Sequence, residues 1–431
     1  MRISVIGCGY LGAVHAACMA ELGHDVVGID VDASKIENLS AGRAPFFEPG
    51  LGDLLSPDNA RLRFTTDIAA AEHARVHFIA VGTPQVAGGV AADLTYVNAA
   101  VEALLPHIGP GHLVVGKSTV PVGTAARLAE LVAPTGASLA WNPEFLREGF
   151  AVSDTLSPDR LVYGVDHRDD RAAEVLDEIY KRPLEAGTPR IVTDYATAEL
   201  VKVSANAFLA TKISFINAMA EIAEVTGADV TTLADAIGYD ARIGRRFLNA
   251  GVGFGGGCLP KDIRAFQARA EELGVGHSLA FLADVDDVNL RRRQRVVDLV
   301  TENLGGDLTG KAVTVLGLAF KPESDDVRDS PALDVAQRLA DAGAVVRATD
   351  PEAIETSRRI RPDLDYVASI QEAISGADAI VVVTEWYQFR ELDPVEVASW
   401  ARGRVVVDGR NCLDASKWRS AGWTYAGLGR P

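Results

Sequence analysis

The chain has 431 residues, 48% hydrophobic and 23% charged. This is longer than one hydrophobic core supports and inside the globular range, which excludes single-domain, disordered and fibrous proteins. Its 42 Lys and Arg against 59 Asp and Glu leave a net charge of −17, the wrong sign for a surface that wraps nucleic acid or adheres to anionic lipid, so any anionic ligand must meet local cations or backbone amides.

"MRISVIGCGY" turns glycine-rich after too short an apolar run for a signal peptide, and no later run reaches the roughly 18 apolar residues of a membrane span. A cytoplasmic protein without nucleic-acid or membrane partners is expected. "ISVIG", "DVVGID", "VHFIAVG" and "HLVVGKST" read as buried strands between Ala-rich helical segments, the pattern of βαβ units and a parallel sheet. The first strand runs into GxGxxG, and the stretch Gly7, Gly9, Tyr10, Leu11 and Gly12 lets backbone N–H groups at a helix opening approach a pyrophosphate. The second strand ends on Asp30, placed to grip adenosine ribose hydroxyls and to repel a 2′-phosphate, which favours NAD over NADP. Two later strand ends carry Gly82 and Thr83 in "AVGTP" and Ser118 and Thr119 in "GKSTVPVG", small polar residues where a doubly wound sheet opens its ligand crevice.

In "NPEFLREG", Glu144 and Glu148 are candidate acid/base groups, or solvated carboxylates on the plainer reading. From about Tyr195 to Asn303 strand signals vanish. "ATAELVKVSANAFLATKISFINAMAEIAEVTG" predicts one long helix stopped at Gly227, and "HSLAFLADVDDVNLRRRQRVVDLVTENLGG" a second ending at Gly305, both with the 3.6-residue apolar period. Lys202 and Asn206 stand four apart on the first helix and share a face; an exposed polar stripe and an oxyanion clamp both fit. In "GVGFGGGCLPKD", Pro260 suits a first helical turn, so Cys258 sits at a helix N-terminus, where the macrodipole and Lys261 favour the thiolate. The glycines leave the sulfur unshielded and offer backbone donors to a phosphate or oxyanion. Cys8, Cys18 and Cys412 read as small apolar fillers, and the four cysteines lack the spacing of a disulfide framework or a metal site.

"KAVTVLGLAF", "AVVRATDP", "DAIVVVTEW" and "RVVVDGRN" repeat the strand series late in the chain. The expected fold is α/β, with two doubly wound Rossmann-like domains joined by a long central helix and an all-helical middle region, divided as 1–194, 195–305 and 306–431.

In order along nearly the whole length, "VIGCGYLG", "VGTP", "KSTVPVG", "NPEFLREG", "ELVKVSANAFLATKISFIN", "DARIGRRFLNAGVGFGGGCLPKD", "GLAFKPESDDVRDSP" and "VVVDGRN" resemble the UDP-glucose/GDP-mannose dehydrogenase family of nucleotide-sugar dehydrogenases. The resemblance implies that a sugar C6 alcohol is oxidised twice, with two NAD⁺ and one water, through a thiohemiacetal and a thioester on Cys258. It gives Asp262, with Lys202, a water that accepts the hydroxyl proton, gives Lys202 and Asn206 the oxyanion, gives Glu144 or Asp262 the hydrolytic water, and places Thr119 at the reacting centre. It places Lys35 at the adenosine ribose, and Glu148, Lys261 and Arg328 beside the cofactor. It puts the substrate against Glu144, Phe145, Leu146, Arg147, Glu148, the loop Phe247, Leu248, Asn249, Ala250 and Gly251, then Gly255, Phe320, Lys321 and Arg410. Arg242 is implied to reach the ligand of a neighbouring subunit, in a homodimer formed through the central helices.

Gly257 stands where many members carry serine, and Ala218 where an acid is frequent. "ANAFLATKISFIN" and "ARIGRRFLNAGVGFGGG" resemble the branch that takes UDP-glucose. The alternatives are the same chemistry on UDP-N-acetylmannosamine or GDP-mannose, or a non-catalytic NAD- or nucleotide-binding protein; the latter has no need of Cys258, Lys202 and Asp262, all of which are present.

Overall fold

A computed structural model describes residues 1–167 and 170–430. The chain forms two compact units, Met1–Ala205 with Arg264–Gly276, and Asn206–Ile263 with His277 onwards.

The first unit is built on eight strands: β1 (Arg2–Ile6), β2 (Asp25–Ile29), β3 (Leu62–Thr65), β4 (Val76–Ile79), β5 (Leu113–Gly116), β6 (Ser138–Trp141), β7 (Leu161–Val165) and β8 (Arg190–Thr193). They lie in the order β3-β2-β1-β4-β5-β6-β7-β8. Every pairing is parallel except β6 with β7. The chain winds outward from β1 to β3 and then returns to lay β4 on the other side of β1, which makes the carboxyl ends of β1 and β4 the switch point where a doubly wound sheet receives ligands. β4 and β5 are buried along their whole length, as their unbroken apolar runs require of strands covered on both faces. His77 in β4 is tolerated because it hydrogen-bonds Ser4 Oγ at 2.8 Å and His112 Nδ1 at 3.0 Å, and burial drives its pKa down to about 3, so it is neutral.

The helix Tyr195–Thr226 has 32 residues and ends at Gly227, whose φ of +74° is the left-handed stop that only glycine adopts without strain. Among the described residues no strand falls between 195 and 303. The second predicted helix is shorter than its sequence pattern: a 3₁₀ turn occupies Gly276–Leu279 and the α-helix runs Phe281–Asn303.

The second unit carries β9 (Ala312–Leu316), β10 (Val345–Thr349), β11 (Asp365–Tyr366), β12 (Ala379–Val382), β13 (Val405–Asp408) and β14 (Thr424–Gly427). All are parallel, in the order β11-β10-β9-β12-β13-β14. It repeats the plan of the first. Gly317 after β9 has φ +109° and lies against Thr384, as Gly7 after β1 has φ +90° and lies against Val81. The second sheet has no counterpart of β7 and β8, and one equivalent position is used differently. Asp350, the counterpart of Asp30, is 3% exposed and accepts five hydrogen bonds, from the N–H groups of Leu318, Ala319, Glu352 and Ala353 and from the Trp386 indole. Among the described residues no helix is long and apolar enough to cross a membrane.

Candidate active site

In the first unit, the three glycines after β1 answer three different needs. A Cβ on Gly7 would sit 2.7 Å from the Val81 side chain and one on Gly12 would sit 1.7 Å from Gly7 O, while nothing lies within 4 Å of a Cβ built on Gly9. The turn is therefore closed toward the protein and open at Gly9, the N-cap of the helix Tyr10–Glu21, where no side chain caps the first N–H groups. That is the shape and polarity a pyrophosphate needs. Asp30, at the end of β2, accepts from Cys8 N at 2.7 Å, Asp32 N at 3.0 Å and Lys35 Nζ at 2.9 Å. Burial works to raise its pKa, but Lys35 and the backbone donors hold it below the ordinary carboxylate value, which leaves a fixed anion at the edge of the turn. These residues fit a dinucleotide whose ribose hydroxyls are free. Leu11 is half-buried behind them. Burial pushes the Cys8 and Cys18 thiols up to about 12, so neither is a nucleophile.

The Tyr10 ring faces Phe46 at 4.7 Å, and its hydroxyl donates to Glu48 and accepts from Gly149 N at 3.1 Å. Burial, then Glu48, raises its pKa far above the ordinary phenol value. Tyr10 thus ties the glycine turn to the end of the loop that holds Glu148, itself half-buried. Thr83 Oγ1 donates to Thr119 O at 2.8 Å and Ser118 Oγ to Val81 O at 2.7 Å, so the ends of β4 and β5 are stitched together beside exposed Gly82.

Lys202 Nζ lies 2.9 Å from Glu144 Oε1 and 5.7 Å from the centre of the Phe145 ring, whose face is also covered by Arg160 at 3.8 Å. Glu144 Oε2 accepts from Leu146 N at 2.6 Å. Lys202 is 5% exposed, so the exposed-stripe reading is excluded for it. Arg147 is exposed and paired with Asp154 at 2.6 Å.

Lys117 joins the site although none of the motifs above includes it as a site residue. It follows β5, is buried, and donates to Asn142 Oδ1 at 3.0 Å and to the Tyr180 hydroxyl at 3.3 Å. It lines a cavity of about 40 Å³ together with His15, Asn142, Glu144 and Tyr180. Burial lowers its pKa to about 8, against the pull of Glu144. The signal was present: a lysine ending a wholly buried apolar strand needs neutral acceptors or an anion nearby.

In the second unit, Cys258 is exposed and directly precedes the helix Leu259–Glu272, with Pro260 in the first turn as expected. Asp262 N donates to Cys258 O at 3.0 Å, which closes that turn. The Asp262 carboxylate is 4% exposed; Oδ1 pairs with Lys261 Nζ at 2.6 Å and Oδ2 accepts from Asn206 Nδ2 at 2.7 Å. Asn206 is buried too, and the bond to Asp262, 56 residues away, satisfies its amide there.

The glycines before Cys258 also answer a packing need. A Cβ would come within 2.3 Å of Asn289 at Gly253, 2.3 Å of Asp329 O at Gly255 and 2.8 Å of the Phe320 ring at Gly256, whereas at Gly257 it would meet only the movable end of Arg328. Of the glycine donors expected to face a ligand, Gly256 N is used by the protein, on Arg328 O, and around it Gly251 N donates to Asn217 Oδ1, Phe254 N to Asn289 Oδ1 and Val252 N to Gly409 O. The stretch packs tightly and leaves only its end, Gly257 and Cys258, at the surface.

Arg328 pairs with Asp326 at 2.7 Å, and Lys321 Nζ lies 5.4 Å from the Phe320 ring. Arg410 spreads its guanidinium over the carbonyls of Val383, Gly253 and Phe320 at 2.8, 2.8 and 3.0 Å, bracing the cysteine loop. In the preceding loop Phe247 has φ +67°; Leu248 and Ala250 are buried while Asn249 is exposed. Arg242 is exposed and paired with Asp240. Among the described residues no cluster of three or more His, Cys, Asp or Glu could hold a metal.

The sequence matches the NAD-binding, central and UDP-binding domains of the UDP-glucose/GDP-mannose dehydrogenase family at residues 1–184, 196–291 and 314–415. It is 44% identical over 439 residues to a UDP-glucose 6-dehydrogenase of Rhizobium meliloti (strain 1021), covering all of both chains. A UDP-glucose dehydrogenase structure from Pyrobaculum islandicum superposes with a TM-score of 0.91 at 42% identity, covering 100% of this chain and 98% of that one. A UDP-D-ManNAc dehydrogenase structure from Pyrococcus horikoshii superposes at 0.86 and 26% identity, covering 100% and 99%. With the open glycine turn, the anionic Asp30 and these full-length matches together, the chain belongs to the UDP-glucose/GDP-mannose dehydrogenase family of NAD-dependent nucleotide-sugar dehydrogenases.

Proposed function

We propose that this chain oxidises the C6 alcohol of UDP-glucose to UDP-glucuronate, consuming two NAD⁺ and one water and releasing two NADH and three protons. The observation that carries the reading is an exposed cysteine at a helix N-terminus, one turn before a buried carboxylate held by a lysine and an amide. The choice of sugar is supported by relatives at 42–44% identity that are named for UDP-glucose.

Bound NAD⁺ supplies the hydride acceptor for each oxidation. On this chain it is held by the turn Gly7–Gly12, by Asp30 and Lys35, and by Gly82, Thr83, Ser118 and Thr119, with Glu148, Lys261 and Arg328 in supporting contact. Asp262 takes the C6 hydroxyl proton through a water. The Cys258 thiolate adds to the aldehyde carbon; the thiohemiacetal oxygen becomes a carbonyl when the second hydride departs, and the thioester retains the acyl group. Lys202 and Asn206 stabilise the oxyanions. Water directed by Glu144 or Asp262 then cleaves the C–S bond, which releases the acid and restores the thiol. The sugar nucleotide rests on Phe145, Leu146, Arg147, the loop Phe247–Gly251, Gly255, Phe320, Lys321 and Arg410.

The working form is a cytoplasmic homodimer, with domains at 1–194, 195–305 and 306–431. Support for the dimer comes from Phe208, Phe215 and Ile222, which repeat every seven residues along the long helix and are 66%, 49% and 53% exposed, a surface that isolated chains rarely leave in water. Arg242 then contacts the ligand of the second subunit.

The test is NADH appearance with UDP-glucose, UDP-N-acetylmannosamine and GDP-mannose, with the product weighed by mass spectrometry. Two NADH per UDP-glucose and a carboxylate product are expected. Turnover on another sugar but not on UDP-glucose overturns the substrate, and one NADH per sugar overturns the double oxidation.

A further inference from the structure

The loop proposed to hold the sugar nucleotide is kept in an unfavourable backbone shape, and something must pin it. Phe247, with φ +67°, lies in the left-handed region that is unfavourable for a bulky side chain. At the near end Arg245 Nη1 donates to Leu248 O at 2.9 Å and to Asn249 Oδ1 at 2.8 Å. At the far end Gly251 N is taken by Asn217 and Val252 N by Gly409 O.

Between these ends one residue reaches the loop from elsewhere in the unit. Asn411 follows β13 with φ +53°, a conformation that asparagine tolerates better than most residues. Its amide Nδ2 donates twice, to Ala250 O at 3.2 Å and to Leu428 O at 2.8 Å. Leu428 belongs to the turn after β14, which is anchored separately: Val230 N donates to Gly429 O at 2.9 Å and Gly429 N to Glu224 Oε1 at 3.2 Å. A Cβ on Gly427 would lie 2.7 Å from Asn411 Oδ1, so the bare glycine makes room for the amide at this place. The oxygen is buried with no partner among the described residues. A buried amide that leaves its oxygen unsatisfied while using its nitrogen twice is held for the sake of those two bonds.

We propose that Asn411 is a positioning residue for the sugar-nucleotide loop, and that through it the chain's last turn, Leu428–Arg430, is part of the support of that site. This rests on the reading that Phe247–Gly251 binds the substrate. Because both hydrogen bonds come from the amide and the backbone shape is separable from it, two variants divide the roles. Asn411→Gly keeps the left-handed backbone without strain and deletes the amide. Asn411→Asp keeps shape and size but faces two carbonyls with an anion instead of a donor.

The experiment is steady-state kinetics of both variants and the parent with UDP-glucose and NAD⁺ varied separately, calorimetric titration of UDP alone, and thermal melting. In Asn411→Gly the KM for UDP-glucose and the Kd for UDP should rise about tenfold, with kcat, the KM for NAD⁺ and the melting temperature near the parent's; Asn411→Asp should lose at least as much. Parent-like UDP binding in Asn411→Gly overturns the proposal. So does a parallel loss of affinity for UDP and NAD⁺ with a large fall in melting temperature, which would make Asn411 a general structural residue. If the parent itself neither binds UDP nor oxidises a nucleotide sugar, the substrate reading fails, independently of the variants.

Discussion

Lys202 and Glu144 form a 2.9 Å ion pair whose side chains are 6% and 12% exposed. A buried pair gains little over an apolar one, but removing one partner strands the other charge, at about 3–5 kcal/mol. Lys202→Met should therefore lower unfolding stability by a few kcal/mol in a denaturant titration. The double variant Lys202→Met/Glu144→Gln should recover most of that loss while turnover stays abolished. A double variant as unstable as the single one would show that the pair is not coupled.

Cys258→Ser replaces a thiol with a hydroxyl far less able to ionise. Oxidation to the acid should fall at least about a thousandfold, while calorimetric affinities for NAD⁺ and UDP stay within about threefold. Steady turnover to the acid at the parent rate would remove the nucleophile role.

Asp30→Asn keeps an oxygen acceptor but discards the charge that Lys35 and the backbone hold in place. Charged hydrogen bonds contribute about 1.5–3 kcal/mol, so the KM for NAD⁺ should rise at least about tenfold. The KM for UDP-glucose should stay constant, and the ratio of kcat/KM for NADP⁺ over NAD⁺ should increase. An unchanged ratio would mean that Asp30 does not read the ribose.

Lys117 links stability to pH. Burial lowers its pKa from 10.5 to about 8, so between those values the unfolded chain keeps a proton the native chain has released, and rising pH favours the native state there. Below that window the cost of burying the charge, on the order of 3 kcal/mol, is fully present. The melting temperature of Lys117→Met minus that of the parent should fall between pH 7.5 and pH 10. A difference that does not change with pH would rule out a buried titrating lysine.

The strands that could be read from sequence are those whose own side chains declare them. β1, β2, β4 and β5, and likewise β9, β10, β12 and β13, are mostly buried apolar runs. β8 is an exposed edge, β11 has two residues, and β14 alternates; their identity comes from a neighbour's hydrogen bonds. The same division runs through the site. Gly7, Asp30 and Cys258 were legible because a local pattern dictates their setting. The burial of Lys202 and Asn206 was not, since Glu144 and Asp262, which make it tolerable, lie in other segments. The packing that Gly253, Gly255 and Gly256 permit was not legible, because Asn289, Asp329 and Phe320 cannot be seen from within the stretch.

Asp350 has consequences of another kind. With five N–H groups around it, its lone pairs are already committed, and none is left to recognise a sugar. Mutation at this aspartate should register as a folding defect, and mutation at Asp30 as altered coenzyme selectivity. The same place in one architecture is a keystone in one half of the protein and, on the proposed function, a receptor in the other.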